Sequence, residues 1–385
     1  MMATKKKVGI KVPSQNEILR RYGNIITVAS ETSENGLKLP STFYLFNDTI
    51  GGGVPWGKII EIVGEESSAK SLMAYNLAHV TQELGGWVIW VDAEQAWMNS
   101  WAEANGVDPT RVTVVNDTRI EVISDVIADL AIYHRSQLTH NEPILLVVDS
   151  IAALDCSDNI DAKMVDGKAE MGGRAKALYK YFRIRNELLY KLGITQVYIN
   201  QMRTALNVGF GKDNTTSTGG AALKFYASIR LGFYAGKQIT VKVNGKERRA
   251  GKVVTIRVLK NKVAPPKPSI KQCPVYFNPK YHEVGFDRYF GLADVMIENE
   301  IITRNGSSYS YDGKVLCRGE DNFNQLIEED NKLRRKLLRA ADINTIGTVK
   351  KQLAAITENL FPVDSDVSYE SYDSGEDDYD AEEES

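Results

Sequence analysis

The segment that most constrains this chain is a loop opened by glycine, with an apolar run at 58–63 before it and a helix-like run at 72–83 after it. The loop reads Gly64-Glu65-Glu66-Ser67-Ser68-Ala69-Lys70-Ser71. Strand, loop, lysine, hydroxyl and helix in this order are the layout of a phosphate-binding P-loop. The backbone N–H groups of such a loop and the N-terminus of its helix hold a polyphosphate. An ordinary strand–turn–helix is the alternative interpretation of this segment taken alone.

Three residues decide how such a loop would work. Lys70 would reach the β- and γ-phosphates, and the Ser71 hydroxyl would hold Mg²⁺. Ala69 stands where the motif G-x-x-x-x-G-K-[ST] has its second glycine. If position 69 needs a positive φ, alanine there costs on the order of 1 kcal/mol.

Three further apolar runs end in polar residues. They cover 87–94, 144–150 and 194–201. Near-continuous apolar runs separated by helical patterns indicate a buried parallel sheet, and polar residues at the carboxyl ends of its strands gather at one crevice. Glu94, Asp149 and Gln201 should therefore meet the P-loop. Each alone could be a strand-end cap, but several such ends around one loop favour a site that hydrolyses nucleotides.

Longer segments resemble the RecA family of homologous-recombination ATPases, in the family's order, from about residue 36 to residue 320. These segments are 52–68, 91–94, 147–154, 199–203, 218–228 and 259–262. The resemblance implies an α/β fold: a RecA-type P-loop ATPase core with a mostly parallel central sheet, an N-terminal helix–strand oligomerisation arm and a small α+β C-terminal domain. The divergence of the chain, with Ala69, suggests a phage-encoded or otherwise outlying member.

The resemblance also implies roles in ATP hydrolysis. Glu94 would be the general base that activates the attacking water, Asp149 would hold the Mg²⁺ shell, and Gln201 would sense the γ-phosphate. Trp101 occupies the place of a family tyrosine that stacks on adenine, with plain core packing as the alternative.

Lys260 and Lys262 match a family pair that reaches across the filament interface onto the neighbour's ATP. They would act in trans, as arginine fingers do. A solvated strand edge is the alternative interpretation of this pair.

Two loops carry DNA in this family, and their counterparts here are about 159–173 and 202–219. The second leaves directly from Gln201 and is expected to lack structure of its own, so that ATP state would control its order. The resemblance assigns phosphate contacts to Lys176, Arg183 and Arg203 and base-triplet wedges to Met171 and Leu206. Gly172, Gly219 and Gly220 complete the expected DNA-binding set. A basic pair of the family is replaced by Tyr234-Ala235, although Lys237, Lys242, Lys246, Arg248 and Arg249 lie close by.

The charge of the chain is unevenly distributed. Its 385 residues carry a net charge of −3, but residues 364–385 contain eleven Asp or Glu and no Lys or Arg, and without them the charge is +8. A basic body suits a nucleic-acid binder, and the tail is predicted to be disordered. The three scattered cysteines show no metal spacing and suit a reducing cytoplasm, and the four dispersed histidines make no ligand cluster. We see neither a membrane span nor a signal peptide.

We expect a filament-interface arm at 1–35, the ATPase core at 36–278, a small domain at 279–342, a connecting helix at 343–363 and the acidic tail at 364–385. Within the small domain, 309–313 is predicted to be a turn. The basic stretch 332–339 is either a solvated helix face or a gateway for duplex DNA.

The function predicted is that of an ATP-dependent DNA recombinase. It would form helical filaments on single-stranded DNA, pair them with homologous double-stranded DNA and exchange strands. One alternative is a RecA-core motor or switch such as a ring helicase, which the lysine pair, the two loops and the arm disfavour. Another is a filament that has lost hydrolysis, which the retained Lys70, Glu94 and Gln201 disfavour.

Overall fold

The computed structural model describes Arg20 and residues 36–138, 141–161, 172–204, 215–217, 222–265 and 267–361. From Leu37 onward the described residues belong to one compact unit. The arm expected at 1–35 lies outside the described residues apart from Arg20, which is helical. The acidic tail and most of both DNA loops also lie outside them. No helix of the described part is long and apolar enough to cross a membrane.

A large mixed sheet forms the centre of the molecule. Its strands are β3 (Ile59–Gly64), β4 (Trp87–Asp92), β5 (Val112–Val115), β6 (Ile144–Asp149), β7 (Ile194–Thr204), β8 (Thr215–Ser217), β9 (Ile229–Val243), β10 (Lys246–Asn261), β11 (Ile270–Tyr276) and β12 (Gly285–Phe286), while β1 (Lys38–Leu39) and β2 (Val54–Pro55) form a separate pair. The order is β12-β11-β10-β9-β3-β7-β6-β4-β5, with β8 paired to β7. From β9 to β5 all neighbours are parallel, which confirms the parallel sheet predicted from the apolar runs.

Helices cover both faces of this sheet. They are α1 (Tyr44–Thr49), α2 (Lys70–Glu83), α3 (Asn99–Ala104), α4 (Ile120–Gln137), α5 (Ser157–Asp161), α6 (Gly173–Lys191) and α7 (Ala222–Tyr226). Alternate residues of β6 supply two separate cores: Leu145 and Val147 face the core on the α2 side, whereas Leu146 and Val148 face the core under α4 and α6. This alternation follows from the two-residue period of a strand, and it explains why β6 is apolar along its length.

The long second loop predicted at 202–219 has more structure than expected. Strand β7 continues to Thr204, and Met202–Thr204 pair antiparallel with β8. The prediction that structure stops at Gln201 was therefore wrong, because the threonine-rich ends of the loop form a two-stranded stem. Residues 205–214 and 218–221 lie outside the described part.

The small domain has its own core, which packs around Tyr309 and Phe323, with ring centroids 5.2 Å apart. Its elements are α8 (Leu292–Glu298), β13 (Thr303–Asn305), β14 (Ser308–Tyr311), β15 (Lys314–Arg318), α9 (Glu320–Glu329) and α10 (Asn331–Ala340). The turn predicted at 309–313 is shorter, because burial of Tyr309 keeps Ser308–Tyr311 in a strand and leaves Asp312-Gly313, both with positive φ, to make the turn.

The helix expected to be a connection, α11 (Ile346–Ala355), packs back onto the ATPase core through buried Val349. After it, residues 356–361 lie against the core; we call them the C-terminal strap. Asn141 holds the strap by two hydrogen bonds: its Nδ2 donates to the Glu358 carbonyl at 2.8 Å, and its Oδ1 accepts from the Leu360 N–H at 2.7 Å.

Candidate active site

The P-loop lies between β3 and α2, as the sequence predicts, and its backbone is strained. Ala69 precedes the first residue of α2 with φ 69° and ψ 24°, in the left-handed region. Ser67 also has a positive φ, of 55°. Position 69 thus has the conformation in which alanine costs on the order of 1 kcal/mol relative to glycine. At Gly64 the glycine is needed because a Cβ would collide with the Phe233 carbonyl.

Lys70 is held ready inside the loop. Its side chain is buried, and Nζ donates to the Glu65 carbonyl at 2.6 Å, which also accepts from the Ser68 hydroxyl at 2.8 Å. Burial lowers the pKa of Lys70, while the negative charge of Asp149 opposes that shift. An ammonium that is half-desolvated and surrounded by acids is well placed to receive an anionic phosphate.

Asp149 ends β6 opposite the P-loop. Burial raises its pKa to about 6; the hydrogen bond from the Ser71 hydroxyl acts against this, and the charge of Glu94 adds to it. A desolvated carboxylate beside a hydroxyl is a set of hard oxygen donors, which fits Mg²⁺. Among the described residues no cluster of three or more His, Cys, Asp or Glu could hold a metal. As two oxygen donors side by side, the Ser71 hydroxyl and the Asp149 carboxylate fit an ion that shares its shell with nucleotide phosphates.

Glu94 lies just after β4 with its side chain exposed. Its Oε1 accepts a short hydrogen bond from the Ser150 hydroxyl and lies 3.4 Å from Nε2 of Gln201. The structure thus brings Lys70, Ser71, Glu94, Asp149 and Gln201 together at the carboxyl edge of the sheet. Their chemical roles remain predictions.

Two supports of this site were missed in the sequence. The Asp92 carboxylate accepts the N–H groups of Ala96 at 3.0 Å and Trp97 at 2.9 Å and so holds the loop that carries Glu94. Ser150 orients the Glu94 carboxylate directly. A serine after a strand-end aspartate gives little signal in a single sequence.

A buried polar cluster fixes the backbone below Gln201. Glu61, fully buried in the middle of β3, accepts from Asn200 Nδ2 at 2.9 Å and pairs with Arg230 of β9. Asn200 in turn accepts from the Gln201 N–H at 2.9 Å. The sequence did contain a sign of this cluster: Glu61 is a charged residue inside the apolar run 58–63. A buried carboxylate needs polar or charged partners, so such a residue predicts that partners lie nearby.

Lys260 and Lys262 lie far from their own P-loop. Lys260 lies opposite Arg230, the second residue of β9, whereas Gly64, the first residue of the P-loop, lies opposite Phe233 of the same strand. The two pairing positions are three residues apart along β9, which is about 10 Å. Lys260 Nζ donates to the carbonyls of Lys224 at 2.7 Å and Phe225 at 3.1 Å, and Lys262 is exposed.

Trp101 is partly buried on α3 and packs against the core on the α2 side. This contact supports the interpretation that Trp101 packs against the core. The predicted stacking of Trp101 on adenine stays a prediction.

Part of the expected DNA surface is described. Lys176 and Arg183 are exposed on α6 and, being seven residues apart, lie on one side of it, with exposed Lys180 between them. Lys180 was missed, although the helical spacing would have found it. Gly172 precedes α6 with φ 109°. Arg203 lies in the stem of the second loop, while Met171, Leu206, Gly219 and Gly220 lie outside the described residues.

The basic stretch 332–339 belongs to α10, and its residues differ in role. Arg334 turns inward and donates to the Tyr289 hydroxyl at 3.1 Å and the Ile327 carbonyl at 3.0 Å. Lys332, Arg335, Lys336 and Arg339 are exposed, which suits both a solvated face and a DNA gateway.

A P-loop at the carboxyl edge of a parallel sheet, with a carboxylate poised beside it, defines a nucleotide-hydrolysing ATPase. The profile of the RecA N-terminal domain matches residues 14–278. The chain is 34% identical over 324 residues to Protein RecA of Malacoplasma penetrans, covering 82% of this chain and 90% of that one. It is 32% identical over 332 residues to Protein RecA of a Synechocystis species, covering 85% and 84%. With Protein RecA of Saccharopolyspora erythraea it shares 31% over 356 residues, covering 90% and 95%.

The chain therefore belongs to the RecA family. It binds ATP and DNA, and it is a recombinase with DNA-dependent ATPase activity. The predictions of fold and function made from the sequence are confirmed at this level, and the ring-helicase and inactive-filament alternatives fall away.

Proposed function

We propose that this ATPase hydrolyses Mg-ATP at the described site and uses the nucleotide state to control a helical filament on single-stranded DNA. The filament would then pair with homologous double-stranded DNA and exchange strands. The observation that carries the proposal is the contact of one carboxylate, Glu94, with both Ser150 and Gln201 beside the P-loop.

The side chains would divide the chemistry as follows. Lys70 leaves the Glu65 carbonyl for the β- and γ-phosphates, and the Ser71 and Asp149 oxygens hold the metal shell. Mg²⁺, when bound, supplies positive charge that offsets the charge on the phosphates. Glu94 accepts the proton of the attacking water, while the Ser150 hydroxyl keeps its carboxylate pointed at the site.

Gln201 would link hydrolysis to DNA. Its amide touches the base Glu94, and from the next residue, Met202, the strand becomes the stem of the second DNA loop. Loss of the γ-phosphate would change what Gln201 contacts and hence the position of the stem, as in other phosphate-dependent switches. Helix α6 would supply further contacts to the DNA phosphates through Lys176, Lys180 and Arg183.

The filament interface would involve the far end of β10. Beside Lys260 two large apolar side chains face solvent, Phe225 at 72% exposure and Leu259 at 43%. Neighbouring exposed apolar groups mark interaction surfaces. A second protomer seated there would place Lys260 and Lys262 against its ATP. We place the protein in the cytoplasm, where its three free thiols would stay reduced.

The test is Glu94→Gln. We expect binding of a fluorescent ATP analogue to be unchanged and DNA-stimulated hydrolysis to fall about 10²–10⁴-fold, because only the base is lost. Glu103→Gln, a change to an exposed carboxylate on α3, is the matched control and should be normal. Turnover near that of the parent in Glu94→Gln would remove Glu94 from the role of base.

Electron microscopy with single-stranded DNA and a non-hydrolysable ATP analogue tests the assembly. Helical filaments are expected from both Glu94→Gln and the parent. Closed rings, or no assembly by either protein, would contradict the proposed filament.

A further inference from the structure

A lysine from outside the motif touches the P-loop. Lys252, on β10, donates from Nζ to the Ser67 carbonyl at 2.6 Å, although the two residues are 185 positions apart. Strand pairing fixes the Lys252 backbone on both sides, opposite Gln238 of β9 and Val275 of β11. The ammonium therefore approaches the loop from a rigid support.

The carbonyl that it holds belongs to the strained part of the loop. Ser67 and Ala69 both have positive φ, and neither is glycine. Residues with a Cβ are strained in this region, so the loop needs outside contacts to keep one conformation. A charge-assisted hydrogen bond to a carbonyl is a strong contact of this kind.

We propose that Lys252 is a positioning residue of the nucleotide site. It holds the Ser67 carbonyl turned toward β10, so that the N–H groups of the loop stay directed at the phosphates, and it offsets the strain at Ala69. This inference rests on the proposed function of the P-loop. It differs from the part proposed for Lys70, which would leave its carbonyl for a phosphate, whereas Lys252 stays on Ser67.

The experiment is a double-mutant cycle read out as affinity for a fluorescent ATP analogue without DNA. Lys252→Met removes the ammonium and keeps the chain length, while Lys252→Arg keeps a cationic donor. Lys246→Met removes a charge from the exposed part of the same strand and controls for net charge. Lys70→Ala is the reference for loss of the nucleotide site.

We expect Lys252→Met to weaken binding about tenfold, the usual size of one lost hydrogen bond to a charged group. Lys252→Arg should weaken it less than threefold, and Lys246→Met should leave it unchanged. Ala69→Gly alone should bind normally, with hydrolysis equal to or faster than that of the parent. Combined with Lys252→Met, it should recover most of the lost affinity, because a loop with glycine at this position no longer needs bracing.

Equal losses from Lys252→Met in the parent and in the Ala69→Gly background would overturn the positioning role and point to a direct contact of Lys252 with phosphate. Normal binding by Lys252→Met beside a clear loss in Lys70→Ala would refute this inference alone. Normal binding by both would refute the proposed P-loop function itself. If Lys252→Met melts below the parent, Lys252→Gln repeats the test with a smaller neutral donor.

Discussion

The two edges of the central sheet are built in opposite ways. At the carboxyl edge, three residues other than glycine have positive φ, namely Ser67, Ala69 and Gln95, and the side chains are mostly charged. At the amino edge, where β3, β6 and β7 begin, the C-terminal strap closes the surface with hydrogen bonds and aromatic contacts. Strain is thus concentrated where the nucleotide would bind, and ordered packing lies at the other edge.

The strap makes its aromatic contacts through Phe361. The ring lies 5.1 Å from the guanidinium of buried Arg135 and 6.3 Å from the Trp56 ring. Gly193, just before β7, has φ 65°, and a Cβ there would lie 2.6 Å from the Phe361 ring. One aromatic side chain therefore bridges the entries to β3 and β7 and the end of α4.

Strand β10 repeats this contrast along its own length. Toward the carboxyl edge its Lys252 contacts the P-loop of the same chain, and toward the amino edge its Lys260 lies beside exposed Phe225, with Lys262 just after the end of the strand. The same strand would thus serve its own ATP at one end and a neighbour's at the other. A variant of Lys252 should therefore lose affinity for ATP, whereas a variant of Lys260 should lose DNA-stimulated hydrolysis.

The largest effect is expected from the amino-edge lysines. Lys260→Ala and Lys262→Ala should bind ATP normally but lose DNA-stimulated hydrolysis at least about 100-fold, as proteins do that lose a cation acting in trans. Burial lowers the pKa of Lys260, and the neighbouring Lys262 and Arg230 add to the shift, so this site favours an incoming anion. Lys271→Ala, exposed on β11, is the control.

Mixing then tests where these lysines act. Lys260→Ala protein retains its P-loop, and Lys70→Ala protein retains its trans lysines, so mixed filaments should recover part of the activity. Co-assembly without any recovery would show that Lys260 works only inside its own chain.

A smaller effect is expected from pH at the carboxyl edge. The pKa of Asp149 is raised to about 6 by burial, with Glu94 and Asp92 adding to the shift and Ser71 and Lys70 opposing it. Above this pKa the carboxylate is ionised and can hold a cation; below it the proton competes. Mg-nucleotide affinity should therefore fall as pH drops below 6, approaching tenfold per unit.

Asp149→Asn provides the comparison, since it keeps the shape and cannot titrate. Its Mg-nucleotide binding should be weak at pH 7 and change between pH 7 and 5 only as far as the nucleotide itself titrates. Parallel pH curves for Asp149→Asn and the parent, measured with the fluorescent analogue, would assign the titration to another group.

The side chains gathered at the carboxyl edge could largely be predicted from the sequence, whereas the packing of the strap at the amino edge could not. Glu94, Asp149 and Gln201 each end a short local run, and Lys70 belongs to a contiguous loop motif. The rule that polar strand ends gather at one edge was therefore enough to predict that these residues lie together. The contacts missed in the sequence join distant segments: Asn200 to Glu61 across 139 positions, and Asn141 to Glu358 across 217. Local patterns carry no information about such pairs, because they are set by how the finished sheet is packed.

The smallest effect on chemistry, and the sharpest contrast between the edges, is expected from Phe361→Ala. The change removes an aromatic ring over a buried guanidinium and opens space beside Gly193. Because Phe361 is only partly buried, the free energy of unfolding should fall by about 1–3 kcal/mol, less than for a fully buried ring.

Nucleotide affinity and DNA-stimulated hydrolysis below the melting transition should stay within twofold of the parent. Phe361→Leu should recover part of the stability, and Leu360→Ala, a smaller truncation at a more exposed position of the strap, is the control. Thermal melts and ATPase assays on the same preparations decide the matter. A large loss of hydrolysis in folded Phe361→Ala would mean that the strap acts on the site across the sheet and that the two edges are not independent.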